Sequence, residues 1–538
     1  MTTQDDLPYT SPARKLIRFF LNSRDQWNAK CQQAKATVKR LENRVRFLEK
    51  SKDEWKAKAK ALEAENATLK AQIGVVSMLA EAPAEKKNSS STTALSLVPG
   101  FDILLGQHYY PLGLITLSVL LLLSACVGLR CGEKILKLLN AFFQLPRSTP
   151  SWSSSRLWLL RVGYYKLTRK KDLADDWVWI VDFTIQAGPM KGLTVVGLRM
   201  SWLGDERNDP VLCHEDVEPI TLVPVQQSNG EFVYQQLEEA IEKTGVPRQI
   251  IADQGGDVKA GIQKFIETHP QTDFIYDVKH FTARILEREF KADLMWIEFT
   301  KWAVETRMAL HQTALSYLEP PNQRAKSRYM NMDLLVDWGV KALSFLDRIE
   351  EYLKTKAEVE ALKKKMDWII QFRTDLAEWK EILELVEKTE AYVRTKGLFH
   401  DGDQELRCLL RLSPKATERT LRIRWSLIEY VLDASLKAKP GERLLGSSEV
   451  LESVFGKFKY MQAEHVKGSF TGMVLAIPAM VSKTTQEVVR CALETIPVHT
   501  VRTWMKEKFG KSALTKRKEA FSTPIHPEQK PDQFRLSA

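Results

Sequence analysis

Three carboxylates stand out by type and placement: Asp182 in WVWIVDFTI, Asp253 in RQIIADQGGD and Glu452 in SSEVLESVFGKFK. Each aspartate ends an apolar, strand-like run, and the glutamate falls on a short amphipathic helical pattern. Two divalent metal ions need oxygen ligands that converge from separate rigid elements. Attack of water on a phosphodiester is the chemistry such an ion pair serves best.

Each acid also has an ordinary reading. Asp182 sits in an alternating run and shares a face with Val178 and Ile180. A carboxylate there is costly unless a cation neutralises it, but an aspartate at a strand end also caps loops. Asp253 precedes Gln254-Gly255-Gly256, where glycines permit a sharp turn and close approach of a ligand to backbone; the same residues make a plain turn. Glu452 has Glu449 three residues before it on the same helical face, with Lys457 and Lys459 after it. The carboxylate then binds metal while the lysines meet phosphate, or the helix is simply a charged surface. Asp277 closes the run DFIYD with His280 three residues on. Together they aim at one edge, with the histidine on a scissile phosphate or orienting a metal-binding carboxylate; otherwise Asp277 is a helix N-cap.

The elements that must position these groups are legible as periods. WVWIVDFTI, LTVVGLRMSW and ITLVPVQ read as strands joined by Gly/Asp/Pro loops. Helix EFVYQQLEEAIEKTG, strand RQIIAD, helix DVKAGIQKFIETH and strand DFIYD follow, so the order is β-β-β-α-β-α-β. From about 281 to 440 the pattern is almost wholly helical. The tryptophans there (Trp296, Trp302, Trp338, Trp368, Trp379, Trp425) recur at helical spacing, which suits core packing, although an aromatic ring also stacks on an unpaired base. The last residues are basic and then Pro-rich, the composition of a flexible tail.

The 538 residues carry 79 Lys and Arg against 68 Asp and Glu, a net charge of +11. That excess suits a polyanionic partner, nucleic acid before an acidic membrane, unless it is merely a solvated surface. Six scattered cysteines without a CxxC pair argue against a disulfide framework or structural zinc and fit a reducing, intracellular setting. The N-terminus MTTQDDLPYT has no secretory character. Residues 27–73 carry a heptad repeat, with Ala34, Leu41, Leu48, Trp55, Leu62 and Leu69 on one seam and polar Lys52 and Asn66 on the other. This predicts a self-associating coiled coil, a dimer or higher oligomer, or else one long helix packed on the body. Gly106 to Leu129 has no charged side chain and is long enough to span a bilayer. Two helical patterns follow it, the second with Arg156 and Arg161. A helix-turn-helix DNA-binding unit is the favoured expectation over a membrane-anchored scaffold.

The order of these parts resembles the DDE transposases: D on a strand, D at a strand end, D-x-x-H, a long helical stretch, then S-S-x-x-x-E with K-x-K after it. The likeness is to the insertion-sequence, hAT and Mutator-like groups, and covers about 177–480. It implies a multidomain α/β chain whose ribonuclease-H-like mixed sheet is interrupted by an all-α insertion. It also implies a metal-binding triad of Asp182, Asp253 and Glu452 holding two Mg²⁺ or Mn²⁺ ions, with Asp277 and His280 as the (C/D)-x-x-H signature. Lys459 matches the basic residue after the glutamate, and Glu449 stays open as its substitute. The tyrosine and arginine that precede the glutamate in one such group are replaced here by Leu445 and Ser448. The expected function is cleavage of transposon ends and strand transfer into target DNA, or else cleavage alone in a non-transposing nuclease or DNA binding in a domesticated derivative, with no small-molecule substrate. Expected boundaries are a coiled-coil segment to 75, a linker 76–105, a helical DNA-binding domain 106–170, and the first core part 171–280. The insertion then spans 281–440, the closing core helices 441–500 and the tail 501–538.

Overall fold

In the computed structural model, five strands form one mixed sheet: β1 (Trp177–Phe183), β2 (Lys191–Arg199), β3 (Glu218–Val225), β4 (Gln249–Ala252) and β5 (Asp273–Tyr276), in the spatial order β3-β2-β1-β4-β5. β1, β2 and β3 pair antiparallel, and β4 joins β1 in parallel, with β5 parallel beyond it. The element order is the β-β-β-α-β-α-β expected from the sequence. The structure describes residues 103–143, 148–184, 190–203, 211–323, 329–352, 356–463, 473–510 and 513–522, all in a unit spanning Thr92–Ala538. The heptad segment 27–73, most of the linker after it and the end of the tail lie outside the described residues.

The alternation of β1 divides the sheet into two faces. Trp177, Trp179 and Val181 turn to one side, where they pack with Leu193, Val195, Ile250 and Phe265. Val178 and Ile180 turn to the other, with Val196, Ile251 and Ile275. Ahead of the sheet come α1 (Leu112–Leu123), α2 (Leu129–Phe143) and α3 (Trp152–Thr168). The crossovers between strands are α4 (Gly230–Thr244) and α5 (Gly256–Thr268), which cover the Trp179 face. Asn229 caps α4 by accepting Phe232 N–H, and Gly245, at φ +86°, ends it in the left-handed region open to glycine.

The opposite face is met by the segment 106–170, expected as a helical, helix-turn-helix-like DNA-binding domain. Trp158, Leu159, Leu160 and Val162 of α3 share a core with Val178 and Ile180 of the sheet, so the segment does not pack as a separate unit. At Gly163 an added Cβ would lie 1.8 Å from the Leu475 carbonyl oxygen, so α3 packs against backbone there. Its cations turn inward because that backbone leaves carbonyls unpaired. Lys166, with no exposed surface, donates to Ala479 O at 3.0 Å, Val481 O at 2.8 Å, Ser482 O at 2.7 Å and Thr484 Oγ1 at 2.7 Å.

The membrane alternative for 106–129 also fails. Within that segment α1 has 12 residues, about 18 Å of helix against the roughly 30 Å of a bilayer core. Among the described residues no helix is long and apolar enough to cross a membrane. Ser118 of α1 bonds Ser155 of α3 at 2.7 Å inside the protein.

After β5 the chain is helical, as its pattern predicts: α6 (Val278–Phe290), α7 (Leu294–Leu310), α8 (Met332–Leu346), α9 (Arg373–Lys396) and α10 (Glu418–Ser435), with shorter helical pieces between. Phe290, Trp296, Phe299, Phe372 and Trp379 form its aromatic centre, with Trp296 and Trp379 rings 5.1 Å apart. Trp425 differs: it is 53% exposed, with Arg407 5.4 Å from its ring centroid. The chain returns to the sheet through α11 (Glu449–Ala463), then α12 (Gln486–Thr495), α13 (Val498–Phe509) and α14 (Ala513–Ser522). The tail expected from 501 therefore begins inside a helix. Val501 is buried and Trp504 packs edge-on to Tyr164, because the apolar side chains of α13 find a partner in α3.

Candidate active site

Asp182 and Asp253 are neighbours by strand register. β1 and β4 run parallel with Val181 opposite Ala252, so the next residue on each is an aspartate. Adjacent strands lie about 4.8 Å apart. Asp182 follows Val178 and Ile180 on their face, and Asp253 follows Ile251 on the same face by alternation. Both carboxylates thus leave one face at the C-terminal ends of adjoining strands. Asp182 Oδ1 accepts the N–H of Phe183 at 2.6 Å, and Asp253 Oδ1 accepts that of Gly255 at 3.0 Å. Burial, and then the Asp253 charge, push the Asp182 carboxyl up to about 7.

Glu452 reaches the same region from α11. Its Oε1 receives a hydrogen bond from His280 Nε2 at 3.1 Å, and Lys279 Nζ stands 4.0 Å from Oε2. The His280 bond is the largest cause holding Glu452 below the usual carboxylate value, with burial opposing it and Lys279 and Lys459 assisting. Burial works against charge on His280, but its bond to Glu452 and the charges of Asp277, Glu452 and Asp253 outweigh it, so the imidazole stays above its ordinary value. The charge of Glu452 in turn adds to the rise at Asp182.

Asp277 is the helix cap its ordinary reading anticipated, and it also does more. Its Oδ1 accepts His280 N–H at 2.9 Å at the start of α6, while Oδ2 accepts both Ser448 N–H at 2.7 Å and Ser448 Oγ–H at 2.9 Å. It is 1% exposed. One buried carboxylate therefore joins the helix bearing His280 to the start of the helix bearing Glu452. Ser448 gives no local signal of this role, because its partner is 171 positions away.

The remaining candidates separate. Glu449 pairs with Arg394 of α9 at 3.0 Å, in a cleft of about 890 Å³ that His214, Ser453 and Lys457 also line. His214 Nε2 lies 3.0 Å from Ser453 Oγ, and burial, then the Lys457 charge, lower its titration. Lys459 lies seven residues from Glu452, within about 20° on the helix, whereas Lys457 is about 140° away. The two lysines were expected to act together; they face different surroundings. Arg161, expected at a DNA backbone, is a further correction: it is 7% exposed and donates from Nε to Ile496 O at 2.5 Å and from Nη2 to Leu493 O. Its guanidinium satisfies the end of α12 rather than a phosphate. Arg156 is half-buried beside Arg502; burial, then that like charge, lower its titration. Lys279 and Arg394 were missed, since neither sits at a motif spacing.

The aspartate pair suits a divalent cation. Two like charges on one buried face are costly when both ionise, and a cation at that edge offsets the cost. Glu452 is differently placed, with Oε1 bonded to His280 and Oε2 facing Lys279. Among the described residues no three His, Cys, Asp or Glu side chains stand close enough to hold a metal ion.

No protein-family model and no curated protein sequence matches the chain. Its structure is similar to that of the Drosophila P element transposase strand transfer complex, at 13% identity and a TM-score of 0.31 over 71% of this chain and 91% of that one. A likeness of that size carries no weight for function, which has to be judged from this chain's own residues.

Proposed function

We propose that this chain is a DNA transposase of the DDE type, built on a ribonuclease-H-like core. The observation that carries the reading is the placement of Asp182 and Asp253 at adjoining strand ends, with the charge of Glu452, on a distant helix, acting on Asp182. Asp182 and Asp253 would hold Mg²⁺ or Mn²⁺, with Glu452 as the third carboxylate. When bound, two such ions supply an activated water and stabilise the attacking and leaving oxygens.

The rest falls to the side chains. His280 fixes the Glu452 carboxylate by its hydrogen bond, and Asp277 keeps both helices in place. Lys459, on the Glu452 side of α11, meets the DNA phosphates. Water adds to the scissile phosphorus as the P–O3′ bond breaks, leaving a 3′-OH and a 5′-phosphate. That 3′-OH then attacks a phosphodiester of target DNA, whose own P–O3′ bond breaks. Pairing of protomers through 27–73 would let two ends be cut together.

The test uses the full chain, Mg²⁺ and DNA carrying the sequences that flank its coding region. Asp182→Asn, Asp253→Asn and Glu452→Gln are each expected to slow cleavage by on the order of 1,000-fold or more while DNA binding persists. Undiminished cleavage by all three variants rejects the triad. Cleavage without joining of a pre-cut 3′ end to plasmid DNA would make the chain a nuclease that does not transpose.

A further inference from the structure

Gln249 is the first residue of β4, and its side chain has no exposed surface. Burying a carboxamide is unfavourable unless both of its ends are bonded. Here both ends meet a single residue: Oε1 accepts Leu445 N–H at 2.9 Å, and Nε2 donates to Leu445 O. These residues are 196 positions apart. A side chain that takes both backbone groups of one residue acts as a neighbouring strand does, selecting which residue stands opposite.

Leu445 belongs to a run attached residue by residue. Leu444 and Leu398, just past α9, exchange backbone bonds of 2.8 and 2.9 Å. Gly446 O accepts Val278 N–H at 3.0 Å, and an added Cβ at Gly446 would lie 2.2 Å from Val393 Cγ1. Ser448 is held by Asp277. Gln249 is opposite Asp273, so Leu445 is tied to the start of β4, while Gly446 and Ser448 are tied to Val278 and Asp277 just past the end of β5. α11 begins directly after these attachments.

We propose that Gln249 is a positioning residue for Glu452: by holding Leu445 it sets the register in which α11 starts, and so which side chain of that helix faces the aspartates. The inference rests on the reading of Glu452 as the third carboxylate. Each helical residue turns about 100°. A slip of one residue would put Leu451 or Ser453 in Glu452's place, and a slip of three would put Glu449 there.

The full chain is compared with Gln249→Met, Gln249→Glu, Glu452→Gln and the double variant Gln249→Met/Glu452→Gln, in DNA cleavage with Mg²⁺. Gln249→Met keeps length and volume but loses both bonds. Its kcat is expected to fall about 10- to 100-fold, the scale of an ångström-size misplacement, with KM unchanged and the Mg²⁺ midpoint raised. Gln249→Glu, which keeps the acceptor half, falls between it and the native chain. The double variant is no slower than Glu452→Gln, because nothing remains to be positioned. Native-like cleavage by Gln249→Met, or a double variant slower by the full Gln249→Met factor, overturns the role. If Glu452→Gln cleaves normally, the site reading fails and the pin falls with it; if Glu452→Gln is dead and Gln249→Met is normal, the pin alone fails. Should Gln249→Met not fold, hydrogen exchange on the native chain decides. A Leu445 amide as protected as those of β4 supports the role, and one exchanging like an open loop rejects it.

Discussion

His280 and Glu452 meet Nε2 to Oε1 at 3.1 Å across 172 positions of sequence. The contact joins α6, which leaves the sheet, to α11, which returns to it. It also sets opposite shifts in its partners, the carboxylate down and the imidazole up. Their mutual stabilisation is therefore fullest between those two titrations, and it is lost as pH falls through the lowered Glu452 value or rises through the raised His280 value.

Asp182 predicts a separate pH effect. Its folded carboxyl titrates at about 7, above the ordinary aspartate value near 4. The folded state thus favours the protonated form, so its contribution to stability is full below about 4 and lost as pH rises through about 7. Metal-free Asp182→Asn should melt higher than the metal-free native chain at pH 8, with the gap closing towards pH 4. Added Mg²⁺ should raise the native melting temperature at pH 8 and leave the variant nearly unmoved. Calorimetry across that range checks this, and equal melting at pH 8 would refute the shift.

Glu449 and Glu452 differ in what they face. Glu449→Gln removes an exposed pair with Arg394, worth about 0–1 kcal/mol, and should cleave within a few-fold of the native chain. A loss at Glu449→Gln matching that at Glu452→Gln would assign the third carboxylate wrongly.

Lys459 shares the Glu452 side of α11, whereas Lys457 lines the cleft with His214. Lys459→Ala should weaken DNA binding and lower the slope of log affinity against log salt by about 1. Lys457→Ala should leave that slope alone. Filter binding at several salt concentrations separates them, and equal slopes in the two variants would put both lysines on the same footing.

Arg161 is a structural cation. Arg161→Met removes the donor it gives to Ile496 O and one of the donors to Leu493 O, which His108 also meets, at a cost of about 1–3 kcal/mol. Denaturant titration should show that loss, while DNA affinity of the folded variant stays native. Weakened binding with unchanged stability would restore the DNA-contact role.

Where the structure followed the sequence, the signal was local. A period of two puts Asp182 on the face of Val178 and Ile180, and the apolar runs of β1 and β4 carry both aspartates to strand ends. Helical spacing likewise places Trp296 and Trp379 in a core. The reading failed where partners were distant backbone groups. Arg161 and Lys166 read locally as helix cations open to solvent, yet carbonyls from residues 479–496 draw them inward.

The sequence by itself determined the strands, the order in which they occur and the aspartates that end two of them, because side-chain alternation is a property of a few consecutive residues. Only the tertiary structure gives Glu449 and Glu452 different surroundings. They stand on one helix about 60° apart, and nothing local distinguishes them. The distinction comes from Arg394, His280 and the attachments at Leu445 and Ser448, contacts made when a long helical excursion closes back on the sheet.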